Sequence, residues 1–134
     1  MKPITRPKSL GEVAAASASY EDFGHHLKDF LHEFAAARQR QASLPAMLEI
    51  EPARLADQFT EGTICDAFLA ATADYLARSA GLATPVWALN PERVLSVPWF
   101  SDPLLALRGL LLRDTPSAFK DKNLFVLASA LSVA

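Results

Sequence analysis

Between residues 23 and 34 the apolar side chains Phe23, Leu27, Phe30, Leu31 and Phe34 recur at steps of four, three, one and three. That spacing is one stripe of an amphipathic helix. Ser19 stands before it as a cap, and the pattern carries the helix to about Gln41. Upstream, Ser9 and Glu12 form an S-x-x-E capping box that opens a short Ala-rich helix to about Ser17. Pro45 and Pro52 break the next stretch into pieces of a turn or two. Thr63 and Asp66 repeat the capping signature, and Ile64, Phe68, Ala71, Tyr75 and Leu76 supply a helical stripe to about Ala80. Gly81 then stands where a left-handed cap residue belongs, with Leu82 placed to fold back on the last turn.

After Leu82 the texture changes. "TPVWALNPERVLSVPWFSDP" carries four prolines in twenty residues and holds only short elements. Asn90-Pro91, Asp102-Pro103 and Thr115-Pro116 each place a capping side chain before a proline suited to the first helical position. They predict a turn at 90–93, a helix from 102 through about Arg113, and a single-turn helix ending near Lys122. Asn123 tolerates a left-handed backbone, and "LFVL" reads as a short extended segment or the start of a last helix. No internal repeat and no convincing strand pair occur; "LEIE" and "LFVL" are short, far apart, and marginal as a lone pair. The expected fold is all-α, a compact bundle of about five to seven helices with long Pro-rich connections. Residues 1–8 read as a flexible tail and 9–134 as one domain, with a soft division near 60.

Length and composition narrow the function. A chain of 134 residues buries a core that needs no disulfide or metal. With 51% hydrophobic and 21% charged residues, the surface has little charge to spread, which favours a partner or a self-interface. A net charge of −2 provides no positive field for nucleic acid or an anionic membrane. The single cysteine, Cys65, lies in an apolar helical pattern and reads as a buried thiol in a reducing compartment. "MKPITRPKSL" lacks the apolar segment of a secretory signal. The longest apolar run, Leu104 to Leu112, is interrupted by Arg108 and falls far short of a membrane span. A cytoplasmic, soluble protein is the expectation.

Candidate chemistry is sparse. His25, Asp29 and His32 share one helix face at a spacing that metal ligands use. That face lies opposite the Phe23/Phe34 stripe, so a solvated polar face is the reading adopted, without metal or cofactor. No G-x-S-x-G occurs, and the five glycines, at 11, 24, 62, 81 and 109, are too scattered to cradle a phosphate. No catalytic residue is assigned, and nothing in the pattern points to an enzyme. Residues 9–31 have the rhythm of a helix-turn-helix, but Glu21 and Asp22 would face phosphates in its second helix. Nucleic acid is therefore an unfavoured partner.

Trp87, Trp99 and Phe100 surround the Pro-rich connection, and tryptophan is enriched at interface hot spots. Such rings can equally plug gaps that irregular backbone leaves over a core. Arg108 and Arg113 lie nearby in sequence, and with Arg93, Lys120 and Lys122 they could form a basic patch around the aromatics. An interaction surface of Trp87, Trp99, Phe100, Arg108 and Arg113 is the candidate site, for a protein partner. A homo-oligomer is compatible with it. The rival readings are a small-molecule or enzyme pocket between the Thr63 helix and the Trp-bearing connection, and a DNA-binding regulator using Lys2, Arg6 and Lys8.

Residues 64–126 also carry a combination of motifs: a helix followed by Gly81, Pro85 and Trp87, then Pro98-Trp99-Phe100, Thr115-Pro116-x-x-Phe119 and Asn123-x-Phe125-Val126. This resembles a small family of uncharacterised, helical bacterial proteins, notably actinobacterial. Some of its members carry an amino-terminal DNA-binding domain or lie beside toxin genes. The resemblance implies an antitoxin-like or regulatory role and transfers no catalytic residue. Family members often have arginine where this chain has Lys120 and Lys122.

Overall fold

The computed structural model describes residues 6–101 and 108–126, the side chains of 108–110 excepted. Within them run α1 (Leu10–Ala16), α2 (Tyr20–Gln39), α3 (Pro45–Leu48), α4 (Gly62–Ser79), two 3-10 turns (Val86–Leu89 and Pro91–Arg93), β1 (Trp99–Phe100), α5 (Arg108–Asp114), α6 (Ser117–Lys120) and β2 (Leu124–Phe125). The fold is mostly α. The helix expected to open at Asp102-Pro103 has its start outside the described residues.

Local signals set several boundaries. The Ser9 hydroxyl accepts the Glu12 N–H at 3.2 Å, and the Glu12 carboxylate accepts the Lys8 N–H in return. Ser19 and Asp22 repeat this device at the start of α2. Phe23, Leu27, Phe30, Leu31 and Phe34 are all buried, so the stripe faces the core as its spacing requires. Gly81 adopts φ +72°, and the Leu82 N–H reaches the Ala77 carbonyl at 2.8 Å, closing α4.

Two expectations about caps are corrected. Thr63 does not cap α4, because the helix begins one residue earlier, at Gly62, after Glu61, whose side chain makes no cap bond. Gly62 is required there: a Cβ would lie 1.7 Å from the Leu55 carbonyl oxygen. Asp66, the other half of that signature, turns inward instead. Nor does Thr115 cap α6. Its hydroxyl meets the carbonyls of Leu111 and Val126 and accepts the Val126 N–H at 3.0 Å, fastening α5 to the end of β2.

The α4 stripe also proves too narrow an expectation. Cys65, Ala67, Leu69, Ala70, Ala71, Ala73 and Ala77 are all fully buried around the helix. The reason is position: α4 lies between two apolar clusters. One is built with α1, α2, α3 and Trp87, and the other with Leu95, Ala118, Phe119, Leu124 and Val126. Small alanines let both clusters approach the helix axis closely. Phe68 and Tyr75 touch both clusters.

"LFVL" does pair, though not with "LEIE". Asn123 takes φ +64° after α6 and sends Leu124 alongside Trp99, giving a two-residue parallel ladder, Trp99 with Leu124 and Phe100 with Phe125. Its side-chain amide donates to the Leu95 carbonyl at 2.6 Å, which anchors the turn. At the other end of the chain Pro7 is buried and Lys8 pairs with Glu33 at 3.3 Å, so residues 7 and 8 of the expected tail pack on the domain, while residues 1–5 lie outside the described residues.

Candidate functional site

Of the expected surface, Trp87 parts from Trp99 and Phe100 when the chain folds. Trp87 is buried at 8% exposure. Its indole N–H donates to the Leu48 carbonyl at 2.9 Å, and the Arg93 guanidinium lies 5.1 Å from the ring centre. A large ring on irregular backbone thus fills the space over α3, and its one polar atom finds a partner there. Trp87 is a core residue and presents no ring to a partner.

Trp99 and Phe100 are half-buried. Trp99 meets Phe68 edge-on at 5.5 Å, and Phe100 stacks on Phe125 at 4.9 Å and 18°. Beside Trp99, Val97 is 70% exposed. Between this segment and the start of α4 lies an open cleft of about 260 Å³, lined by Thr63, Ile64, Leu95, Val97, Pro98 and Trp99 among others.

Among the described side chains, Arg93, Arg113, Lys120 and Lys122 do not gather into a basic patch around the aromatics. Arg93 and Lys122 are buried, Arg113 is exposed but pairs with Asp114 at 2.9 Å, and the Lys120 amine reaches the Arg113 carbonyl at 3.4 Å. The Arg108 side chain lies outside the described residues. Burial pulls the Lys122 ammonium below the ordinary lysine range, with the Asp74 and Asp121 carboxylates opposing.

What the sequence reading missed is a buried ionic network. Asp66 is fully buried on α4. Its carboxylate accepts the backbone N–H of Leu55 at 2.7 Å and of Ala56 at 3.1 Å, and the Arg54 Nε at 3.0 Å. Arg93, also fully buried, approaches the same carboxylate at 3.8 Å. It donates to the Pro52 carbonyl at 2.7 Å and pairs with Glu51 at 3.4 Å. Arg54 completes the set with Glu92 at 2.7 Å. Hydrogen bonding to Asp66 holds the Arg54 pKa above the ordinary arginine value. Burial pulls that of Arg93 down, with Asp66 opposing. Both Asp66 oxygens are occupied by donors, so this carboxylate is a fastener for the 51–56 and 90–93 loops and is not available as a base.

A second buried carboxylate, Asp74, accepts Nε–H and Nη2–H of Arg78 at 2.9 Å each and the Thr84 hydroxyl at 2.7 Å. It fixes the chain beyond Gly81 to α4 in the same way. Burial pushes the Cys65 thiol up to about 12, with Asp66 and Glu61 adding to the effect. A thiol in that setting is a poor nucleophile.

His25 is exposed, and His32 and Asp29 are half-buried on the outward side of α2. No group of three or more His, Cys, Asp or Glu among the described residues could hold a metal ion. No helix among them is long and apolar enough to cross a membrane. No known protein family, curated protein or solved structure matches this chain.

Proposed function

We propose that this protein is a cytoplasmic protein-interaction module without catalytic activity of its own, in the antitoxin-like or regulatory role that the resemblance over residues 64–126 implies. The observation that supports it is the placement of Val97, Pro98 and Trp99. A well-exposed valine and a proline flank a half-buried indole beside an open cleft. An aromatic anchor with exposed apolar neighbours is the composition of an interface core. Phe100 continues that surface along β1, and Arg113 stands exposed on α5. Trp87 is no longer part of it.

The test is affinity capture of the tagged protein from lysate of its own host, beside Val97→Asp and Arg113→Glu. Both side chains are exposed, so both variants are expected to fold, which circular dichroism checks. A stoichiometric partner lost from Val97→Asp supports the reading; a partner retained by both variants removes Trp99 and its neighbours from the interface.

The cleft itself favours a second reading, a small apolar ligand held against Trp99, with Thr63 and Ser96 also among the lining residues. A ligand that binds the native state alone raises the melting temperature. A metabolite screen read by thermal shift, repeated on Trp99→Ala, distinguishes this reading from the first.

A further inference from the structure

Two connecting segments, residues 51–56 and 86–93, are tied to each other from both sides. The Arg93 guanidinium donates to the Pro52 carbonyl at 2.7 Å and pairs with Glu51 at 3.4 Å. Arg54 crosses the other way, donating to the Glu92 carboxylate at 2.7 Å and to the Glu92 main-chain carbonyl at 3.3 Å. Among the described residues, every hydrogen bond and ion pair from either segment to α4 ends on Asp66. Its carboxylate takes the Leu55 and Ala56 N–H groups and Arg54, and its main-chain carbonyl takes Arg93 at 3.3 Å. The second segment is pinned just beyond its ends. On one side the Thr84 hydroxyl holds Asp74, and on the other the Leu95 N–H reaches the Lys122 carbonyl at 3.0 Å.

Solvation decides how such an arrangement opens. Arg93 and Asp66 are fully buried, so lifting one segment alone leaves charged and polar groups of the other buried and short of partners. Lifting both together returns Asp66 and Arg93 to water and recovers the hydration that burial removed. Partial opening is penalised, and joint opening escapes that penalty. The apolar attachment is small as well. Of the twenty buried side chains in the larger cluster, these segments supply Leu55, Trp87 and Ala88, and α1, α2, α3 and α4 supply all the others. The Trp87 indole adds its single bond to the Leu48 carbonyl of α3. Most of the core therefore needs no rearrangement when the two segments lift.

We propose that residues 51–56 and 86–93 are a pair of straps that opens and closes as one piece, latched by Asp66, while α1, α2 and α4 stay folded. Opening uncovers Leu55, Trp87 and Ala88 and the flank of α4 that carries Asp66. Closed, the straps hide a tryptophan and two buried charges behind one carboxylate. The device operates whether or not Trp99 meets a partner.

The test is native-state hydrogen exchange of the full chain, followed by NMR in rising, sub-denaturing urea. The Leu55 and Ala56 N–H groups report the first strap and the Trp87 indole N–H the second. Their protection factors are expected to agree and to fall along one common line with urea. That protection is at least about tenfold below that of Ala70 and Ala73 inside α4, because the straps open without global unfolding. Ala88→Gly alters the second strap alone, removing a buried methyl and freeing the backbone. It is expected to lower protection of Leu55, Ala56 and the Trp87 indole by one common factor, about tenfold. Separate urea lines for the two straps overturn the proposal. So does exchange of both straps only together with Ala70 and Ala73, or an effect of Ala88→Gly confined to the Trp87 indole. The wild-type urea lines decide the matter by themselves if Ala88→Gly does not fold.

Discussion

The carboxylate of Asp66 accepts the backbone N–H of Leu55 at 2.7 Å, and it does so from inside a helix with no exposure to water. An unfolded chain leaves both groups hydrated, so the bond forms only when the loop before α4 is laid against the helix. Removing one partner of a buried charged cluster costs more than the cluster contributes, because the remaining groups are stranded. Asp66→Ala strands two loop N–H groups and leaves the buried Arg93 with only the half-exposed Glu51 carboxylate at 3.4 Å. The expected loss is about 3–5 kcal/mol in urea denaturation. Asp66→Asn loses less, since the amide oxygen still accepts one N–H.

Gly62 and Gly24 make opposite predictions from the same substitution. A Cβ at Gly62 would meet the Leu55 carbonyl oxygen at 1.7 Å, a rigid backbone atom, so α4 must shift off the loop. Gly62→Ala is expected to cost about 3 kcal/mol, at the severe end of overpacking. At Gly24 nothing beyond its chain neighbours and its own helix backbone lies within 4 Å of the added carbon, and the site is the interior of α2. There, alanine is expected to stabilise by about 0.5–1 kcal/mol through helix propensity. Thermal melts of the two variants check both signs.

Cys65 gives a prediction in pH. Its thiol is pushed up to about 12 from an ordinary value near 9.0, so the folded state favours the neutral form. Stability from this group is fully present below the unfolded pKa and is lost as pH rises from about 9 through about 12. Cys65→Ala is expected to reduce the steepness of alkaline unfolding over that window. At pH 8, a thiol-reactive disulfide reagent is expected to leave the native protein unlabelled and to titrate one thiol once urea unfolds it.

The features legible in the sequence were those decided within about four residues. Ser9, Ser19, Asn90, Gly81 and Asn123 each act on their own turn, and the α2 stripe is a local periodicity. What escaped depends on partners distant in the chain. Asp66 is spent on Leu55, Thr115 on Val126, and the Trp87 indole on Leu48, separations of 11, 11 and 39 positions. No spacing rule announces such choices. The same limit governs the candidate surface: Trp87 and Trp99 look equivalent as tryptophans flanking prolines, yet they belong to different apolar clusters. The exposed Val86, Leu89 and Val97 gave no signal, since a lone valine or leucine in a loop reads as core.

Asn123 links the backbone geometry to the proposed surface. Its φ of +64° aligns β2 with β1. Its carbonyl accepts the Trp99 N–H at 2.8 Å, and its side-chain amide donates to the Leu95 carbonyl at 2.6 Å. A left-handed backbone costs alanine about 1–2 kcal/mol, and the lost side-chain bond costs about 1 more. Asn123→Gly relieves the first cost and keeps the second. The expected order of stability is therefore Asn, then Gly, then Ala, with total losses of about 1 and about 2–3 kcal/mol. Denaturation curves give the order. If Trp99 is an interface anchor, Asn123→Ala also weakens partner capture while the protein remains folded, because the turn that seats the Trp99 strand has moved. Asn123→Gly preserves that seat and is expected to capture the partner nearly as well as the wild type.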